Sequence, residues 1–192
     1  VEGAVILTVN QYLDVRRRLI DLGHEGDYEW SENLKPPSTP DALSCEFTWV
    51  VLNSGMKNTV ARKIMDRVWP LLIADQSIAS AFGHKGKVAA IERVWRHRED
   101  YFTCFNIATD KVAWCESLPW IGGITKYHLA KNLGVDCAKP DRWLVKLANE
   151  SGESVEGLCG RLAAATGDRV ATVDVVLWRA CAVGILTPGA PP

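Results

Sequence analysis

The sequence predicts an all-α protein, and three observations carry that prediction. Apolar residues recur at helical spacing through almost the whole chain. Capping residues open the periodic stretches, and glycine or proline closes them. No alternating apolar–polar run of useful length reads as a strand. Thr8 is placed to cap a first helix with Val9, Leu13, Leu19, Ile20 and Leu22 as apolar positions and Gly23 as its stop. Residues 24–40, ending in Pro36, Pro37 and Pro40, read as a loop or crossing segment. A second helix begins near Asp41, runs through Phe47, Trp49, Val50, Val51 and Leu52, and breaks at Asn53-Ser54-Gly55. Asn58 or Thr59 caps a third, whose apolar positions are Val60, Ile64, Val68, Leu71 and Leu72. A short helix around Ser77 to Phe82 precedes the loop Gly83-His84-Lys85-Gly86-Lys87, and helices are expected near 87–106, 107–117, 124–133, 141–150, 154–165 and 172–184. Residues 1–186 are expected to form one domain, or two tightly packed helical lobes, and 187–192 a flexible, disordered tail.

Composition narrows the class without choosing a function. The 192 residues are 47% hydrophobic and 23% charged, which is ordinary for a globular protein. No apolar run approaches the roughly 20 residues that cross a bilayer, and no basic-then-apolar leader opens the chain. The first residue is Val, which reads as a trimmed start, and a cytoplasmic, nucleoid-associated monomer is the expectation. The net charge of −1 gives no global argument for a nucleic-acid partner. Cations are unevenly placed, however, at Arg16 to Arg18, at Lys85, Lys87, Arg93, Arg96 and Arg98, and at Lys126, Lys131, Lys139, Arg142 and Lys146. Such groups can follow a phosphate backbone or form solvated helix faces. The six cysteines contain no C-x-x-C pair and no His partner at zinc-finger spacing, so they read as reduced, buried thiols and no metal site is expected. The 83–87 loop lacks a preceding strand and a Gly-Lys-Ser/Thr ending, which argues against a nucleotide P-loop.

The informative stretch runs Leu118-Pro119-Trp120-Ile121-Gly122-Gly123-Ile124-Thr125, then a helix, Gly134, and Lys139-Pro140-Asp141-Arg142-Trp143-Leu144-Val145-Lys146. Pro119 stops one helix, Gly122 and Gly123 let backbone amides approach a ligand, and Thr125 opens the next helix, with Lys126 adding charge. Exposed amides at a helix N-terminus suit a phosphate. Asp141 opens a further helix about sixteen residues after the hairpin, with its carboxylate at the mouth. Ile121, Leu129, Leu133, Leu144, Val145 and Leu147 are the expected packing residues.

These residues resemble the helix–hairpin–helix DNA glycosylase superfamily, whose hairpin reads Leu-Pro-Gly-x-Gly-x-x-Thr/Ala and is followed, after one helix, by a catalytic Asp. The likeness covers 118–147 and, more weakly, 46–68. It implies a two-lobed all-α fold, a double-stranded DNA partner and base excision. The target nucleotide is turned out of the stack into a pocket between the lobes. A single carboxylate, Asp141, then stabilises the positive charge developing at the sugar and orients water. The likeness also implies a duplex wedge at residues 53–58, with Met56 filling the space left by the base and Asn58 reaching the opposite strand.

Two departures from that pattern refine the expectation. Trp120 stands where the family carries the first glycine, which argues against the backbone-bound monovalent cation of some relatives. Ile124 stands where lyase-competent members carry a Schiff-base lysine, so a monofunctional enzyme that leaves an abasic site is expected; Lys126 and Lys139 leave strand cleavage open. The four-cysteine iron–sulfur cluster of some relatives has no counterpart beyond Asp141, where only Cys159 and Cys181 lie. Trp49, Asn53, Tyr127 and Trp30 are candidates for lining the base pocket, whereas Trp69, Trp95 and Trp178 read as core. An alkylated purine and an enlarged phage pyrimidine both fit an aromatic pocket, so repair and defence remain equally open. The competing classes are a non-catalytic helix–hairpin–helix module that binds DNA and a helical protein-interaction domain.

Overall fold

The structure, a computed structural model, describes residues 7–189; the end of the predicted tail, 190–192, lies outside them, while Pro188 within it is buried in a turn. The described residues form eleven α-helices and no strand: α1 Val9–Asp21, α2 Glu25–Glu32, α3 Pro40–Asn53, α4 Asn58–Ile73, α5 Lys85–Arg96, α6 Arg98–Ile107, α7 Lys111–Glu116, α8 Thr125–Asn132, α9 Arg142–Glu150, α10 Val155–Thr166 and α11 Val170–Ala182. A single 3-10 turn, Ile78–Ser80, sits between α4 and α5. No helix among the described residues is long and apolar enough to cross a membrane. By its contacts the chain divides into two compact units, one holding the stretch up to Leu34 together with that from Val135 onward, the other Lys35–Gly134.

The first unit is built from α1, α2, α9, α10 and α11. Thr8 caps α1 as the sequence predicts, through a reciprocal pair in which its hydroxyl accepts the Gln11 amide and the Gln11 side chain accepts the Thr8 amide. Gly23 follows at φ +84°, a left-handed stop that glycine adopts without strain. Tyr12, Val15 and Leu19 pack from α1 against Leu144, Leu158, Leu162, Val173, Val176 and Leu177. Asp168, in the α10–α11 turn, gathers the outer elements. It accepts from the Tyr12 hydroxyl at 2.6 Å and the Arg16 guanidinium at 2.6 and 2.7 Å, with the Tyr28 hydroxyl at 3.3 Å. Burial and the neighbouring carboxylate push the Tyr12 phenol well above its ordinary value, so it stays a donor.

Within this unit the predicted loop 24–40 is corrected, because its first half is the helix α2. Glu25 and Asp27 lie in the first turn, where the helix dipole favours carboxylates. Arg179 binds Asp27 at 2.6 Å, and Ser31 is buried with its hydroxyl on the Tyr28 carbonyl. Tertiary contacts therefore hold a segment whose polar composition hides its periodicity. Trp178 and Val145, expected in the core, are exposed.

The second unit is arranged around α3, which packs against α4, α5, α6 and α8. Its buried face presents Leu43, Phe47, Val50 and Val51, and Thr39 caps it by accepting the Ala42 amide with Pro40 in the first turn. Two expectations shift here. Lys57, without a side-chain hydrogen bond, takes the cap position of α4, and Asn58 is the first helical residue. The long helix expected over 87–106 is broken at His97, where Arg98 turns to bind Asp41 at 2.6 Å and lies over the Trp95 ring at 4.1 Å. Trp95 is buried edge-on to Trp69 at 5.5 Å, as the core reading predicts. No disulfide joins the cysteines among the described residues; Cys115, Cys159 and Cys181 are buried as expected, whereas Cys45 and Cys137 are half-buried and Cys104 is exposed.

Candidate nucleic-acid interface and active-site carboxylate

The hairpin is formed by α7 and α8 of the second unit. Asp110 starts α7 by accepting the Ala113 amide at 2.9 Å, and Leu118 and Ile121 of the bend are buried, as are Leu129 and Leu133. The turn is closed by two backbone bonds, Ile121 N–H to the Leu118 carbonyl at 3.2 Å and Lys126 N–H to the Gly122 carbonyl at 2.9 Å. The left-handed residue of the turn is Trp120, at φ +68°, and not Gly122 or Gly123. A bulky side chain at positive φ is strained by about 1–2 kcal/mol, and packing holds it. The Trp120 ring covers Gly86, where an added Cβ would stand 2.4 Å from its Cζ3, and meets the His84 ring edge-on at 5.0 Å.

Gly122 and Gly123 are therefore not required by the turn. Both are exposed, a Cβ on Gly122 would meet nothing within 4 Å, and one on Gly123 would meet only a Glu116 oxygen at 3.8 Å. Their backbone is bare toward the outside, as a close-approaching ligand needs. Ile124 caps α8 without a side-chain bond, and Thr125 is its first residue, half-buried. Lys126 points elsewhere: its ammonium binds Glu116 at 2.6 Å across the hairpin, and its Nζ lies 5.4 Å from the centre of the half-buried Tyr127 ring.

The proposed wedge is the α3–α4 connection. Asn53 ends α3, its carbonyl accepts the Met56 amide at 3.3 Å, and Gly55 turns the chain at φ +75°. Met56 is half-buried, and Asn58 is exposed. Lys87 fixes this turn from α5, although sequence reasoning placed it in a surface patch. It is 4% exposed, and its ammonium donates to the carbonyls of Leu52, at 3.2 Å, and of Ser54. Burial lowers its proton affinity. A signal was present, since Lys87 lies on the same helical face as Ile91 and Val94.

Trp49, one α3 turn before Asn53, is half-buried with the Arg62 guanidinium over its ring at 4.6 Å. One further turn back stands Glu46, whose Oε2 accepts from Asn132 Nδ2 on α8 at 2.9 Å. Burial pushes the Glu46 carboxyl up, against the smaller downward pull of Asn132 and Arg62. The sequence marked Trp49 as a pocket candidate but neither Glu46 nor Asn132 as functional.

Asp141 belongs to the first unit. It caps α9, its Oδ1 accepting the amides of Trp143 at 2.9 Å and Leu144 at 3.1 Å. The side chain is half-buried, and Oδ2 has no hydrogen-bond partner among the described residues. The preceding bend is fixed twice: the Asp141 amide returns to the Lys139 carbonyl at 2.8 Å, and the Lys139 amide donates to buried Asp174 at 3.0 Å. Asp174 thus supports the loop that carries Asp141. The Cys181 thiol is pushed up to about 11, by burial first and then by Asp141 and Glu150. Trp30, on α2 of the same unit, is exposed.

Among the described residues no group of three or more His, Cys, Asp or Glu is placed to hold a metal ion. No family model matches the chain, and no curated protein or solved structure is detectably similar to it.

Proposed function

We propose that the chain is a monofunctional DNA glycosylase of helix–hairpin–helix type, which hydrolyses the N-glycosidic bond of a damaged, mismatched or modified base turned out of double-stranded DNA. The observation that carries the reading is the state of Asp141. Two backbone amides lock one carboxylate oxygen and leave the other without a partner. A carboxylate so held needs no reorganisation when positive charge develops at C1′. Oδ2 then stabilises that charge and orients a water, whose oxygen bonds to C1′ and whose proton passes to Oδ2 as the base departs with the electron pair of the broken bond and takes up a proton from solvent. Gly122 and Gly123 offer amides to a phosphate, and Met56 and Asn58 enter the duplex. Ile124 brings no amine to the sugar, so the product is an abasic site. The reading assigns no metal or cofactor; the hairpin carbonyls of Leu118 and Gly122 already accept amides.

The test is Asp141→Asn. Asparagine caps a helix as well as aspartate does, so the variant keeps wild-type stability within about 0.5 kcal/mol. Base release, followed by mass spectrometry over a panel of damaged and phage-modified DNAs, is lost, while DNA affinity holds or rises because one anionic group is gone. Undiminished release by the variant removes Asp141 from the chemistry. Salt-dependent binding without release by the wild type leaves a DNA-binding module instead.

A further inference from the structure

We infer that Glu46 and Asn132 form a recognition site on the second unit for the exocyclic amino group of a nucleobase. The inference rests on the glycosylase reading for the class of ligand and on geometry for the rest. Asn132 is 8% exposed and commits its Nδ2 to Glu46 Oε2 at 2.9 Å. Its Oδ1, cut off from solvent, has no hydrogen-bond partner among the described residues. An acceptor buried in this way is destabilising until a donor reaches it. Glu46 Oε1 is likewise without a partner among the described residues. The pair therefore presents two acceptors, one on a carboxylate and one on a carboxamide, held together by the remaining Nδ2–Oε2 bond.

Two acceptors carried by one hydrogen-bonded pair complement a group that carries two N–H donors, which is an amino group on a purine or pyrimidine ring. A carbonyl in the same place meets oxygen with oxygen and is rejected. Trp49 lies one helical turn from Glu46, with Arg62 over its ring at 4.6 Å, so the amino-reading pair adjoins an aromatic surface and a compensating cation. The upward shift of the Glu46 carboxyl reflects the same burial, which makes each hydrogen bond at this position more discriminating than at the surface. Glu46 is the reading group, and Asn132 both orients it and supplies the second acceptor.

The experiment measures binding of free bases by the full chain, using cytosine against uracil and adenine against hypoxanthine, by tryptophan fluorescence or saturation-transfer NMR. The amino-bearing member of each pair binds about tenfold or more tightly, the range for a hydrogen bond to a charged group. In Glu46→Gln the Asn132 amide draws the glutamine oxygen, the NH2 faces the ligand, and the preference turns toward the carbonyl-bearing bases. Asn132→Leu reduces the preference without reversing it. Melting curves are recorded for both variants, so a variant that does not fold is recognised and the other decides. Equal affinity for both members of each pair, absence of base binding by the wild type, or an unchanged preference in a folded Glu46→Gln protein overturns the inference. Amino-base binding without excision keeps this site and removes the glycosylase reading; excision whose base preference ignores both substitutions does the reverse.

Discussion

The strained aromatic at the hairpin tip makes a prediction whose sign is unusual. Trp120 is at φ +68°, and its ring, 45% exposed, rests on Gly86 and against His84. Burying about half of a large aromatic contributes about 1.5 kcal/mol, and the edge-on contact adds about 0.5–1 kcal/mol. Trp120→Ala loses both and keeps the left-handed backbone, a cost of about 2 kcal/mol. Trp120→Gly loses the same contacts but relieves about 1–2 kcal/mol of strain, offset in part by about 0.5–1 kcal/mol of extra unfolded-chain entropy. The glycine variant is thus more stable than the alanine variant by about 0.5–1 kcal/mol, the reverse of their order in a helix. Urea unfolding at common m resolves this as a midpoint difference of about 0.3–0.5 M. A second substitution isolates the packing: Gly86→Ala places a Cβ 2.4 Å from the Trp120 ring and costs about 1–3 kcal/mol in the wild type. In the Trp120→Gly background the clash is absent, and the same change stabilises by about 0.5–1 kcal/mol, because Gly86 lies inside α5. An alanine variant at position 120 as stable as the glycine variant, or additive effects at 86 and 120, refutes the reasoning.

Three further outcomes follow from the same geometry. Gly122→Ala meets no atom within 4 Å and stabilises by up to about 0.4–1 kcal/mol, yet lowers DNA affinity in a binding titration because the methyl group stands between the hairpin amides and a phosphate; unchanged affinity removes the hairpin from the interface. Asp168→Asn leaves Arg16 and Tyr12 without their buried carboxylate and destabilises by about 3 kcal/mol in urea, a result that a loss below about 1 kcal/mol contradicts. Glu46→Gln is more stable than the wild type at neutral pH, since burial raises the folded carboxyl above its unfolded value of about 4.3. The wild type carries that penalty in full above the folded value and sheds it as pH falls toward the unfolded one. The stability gap between variant and wild type therefore closes on acidification, and a gap independent of pH between neutrality and pH 4 sinks the assignment.

What could be read from the chain was whatever local chemistry dictates. Thr8 and Gly23, and Asp141 after Pro140, set helix ends through contacts a few residues long, and the structure places those ends as the sequence predicts, while the helix expected from near Asp41 begins at Pro40 behind a Thr39 cap. What escaped depends on partners far along the chain. α2 has no strong apolar stripe and exists because Asp168 and Arg179, some 140 to 150 residues away, bind Tyr28 and Asp27. His97 interrupts a periodic segment because Arg98 turns toward Asp41. Glu46 and Asn132 are 86 positions apart and ordinary in their local context, so no spacing rule joins them.

The charged residues show the same limit, and its consequence bears on how such a chain can grip DNA. Grouping cations by sequence counts Lys87, Arg98, Lys126 and Lys131 as parts of basic patches. In the fold Lys87 and Lys131 are buried, Arg98 binds Asp41, and Lys126 binds Glu116. These four charges are engaged in holding the second unit together or withdrawn from its surface. On the glycosylase reading, phosphate contact at the hairpin then falls to the exposed backbone of Gly122 and Gly123, where a helix N-terminus supplies directed donors without a side-chain charge. A nearly neutral chain is compatible with such a grip, because the attraction is local and geometric. For the same reason the diagnostic substitution at the hairpin is the added methyl group at Gly122. Removal of Lys126 confounds any loss of DNA contact with the loss of its bridge to Glu116.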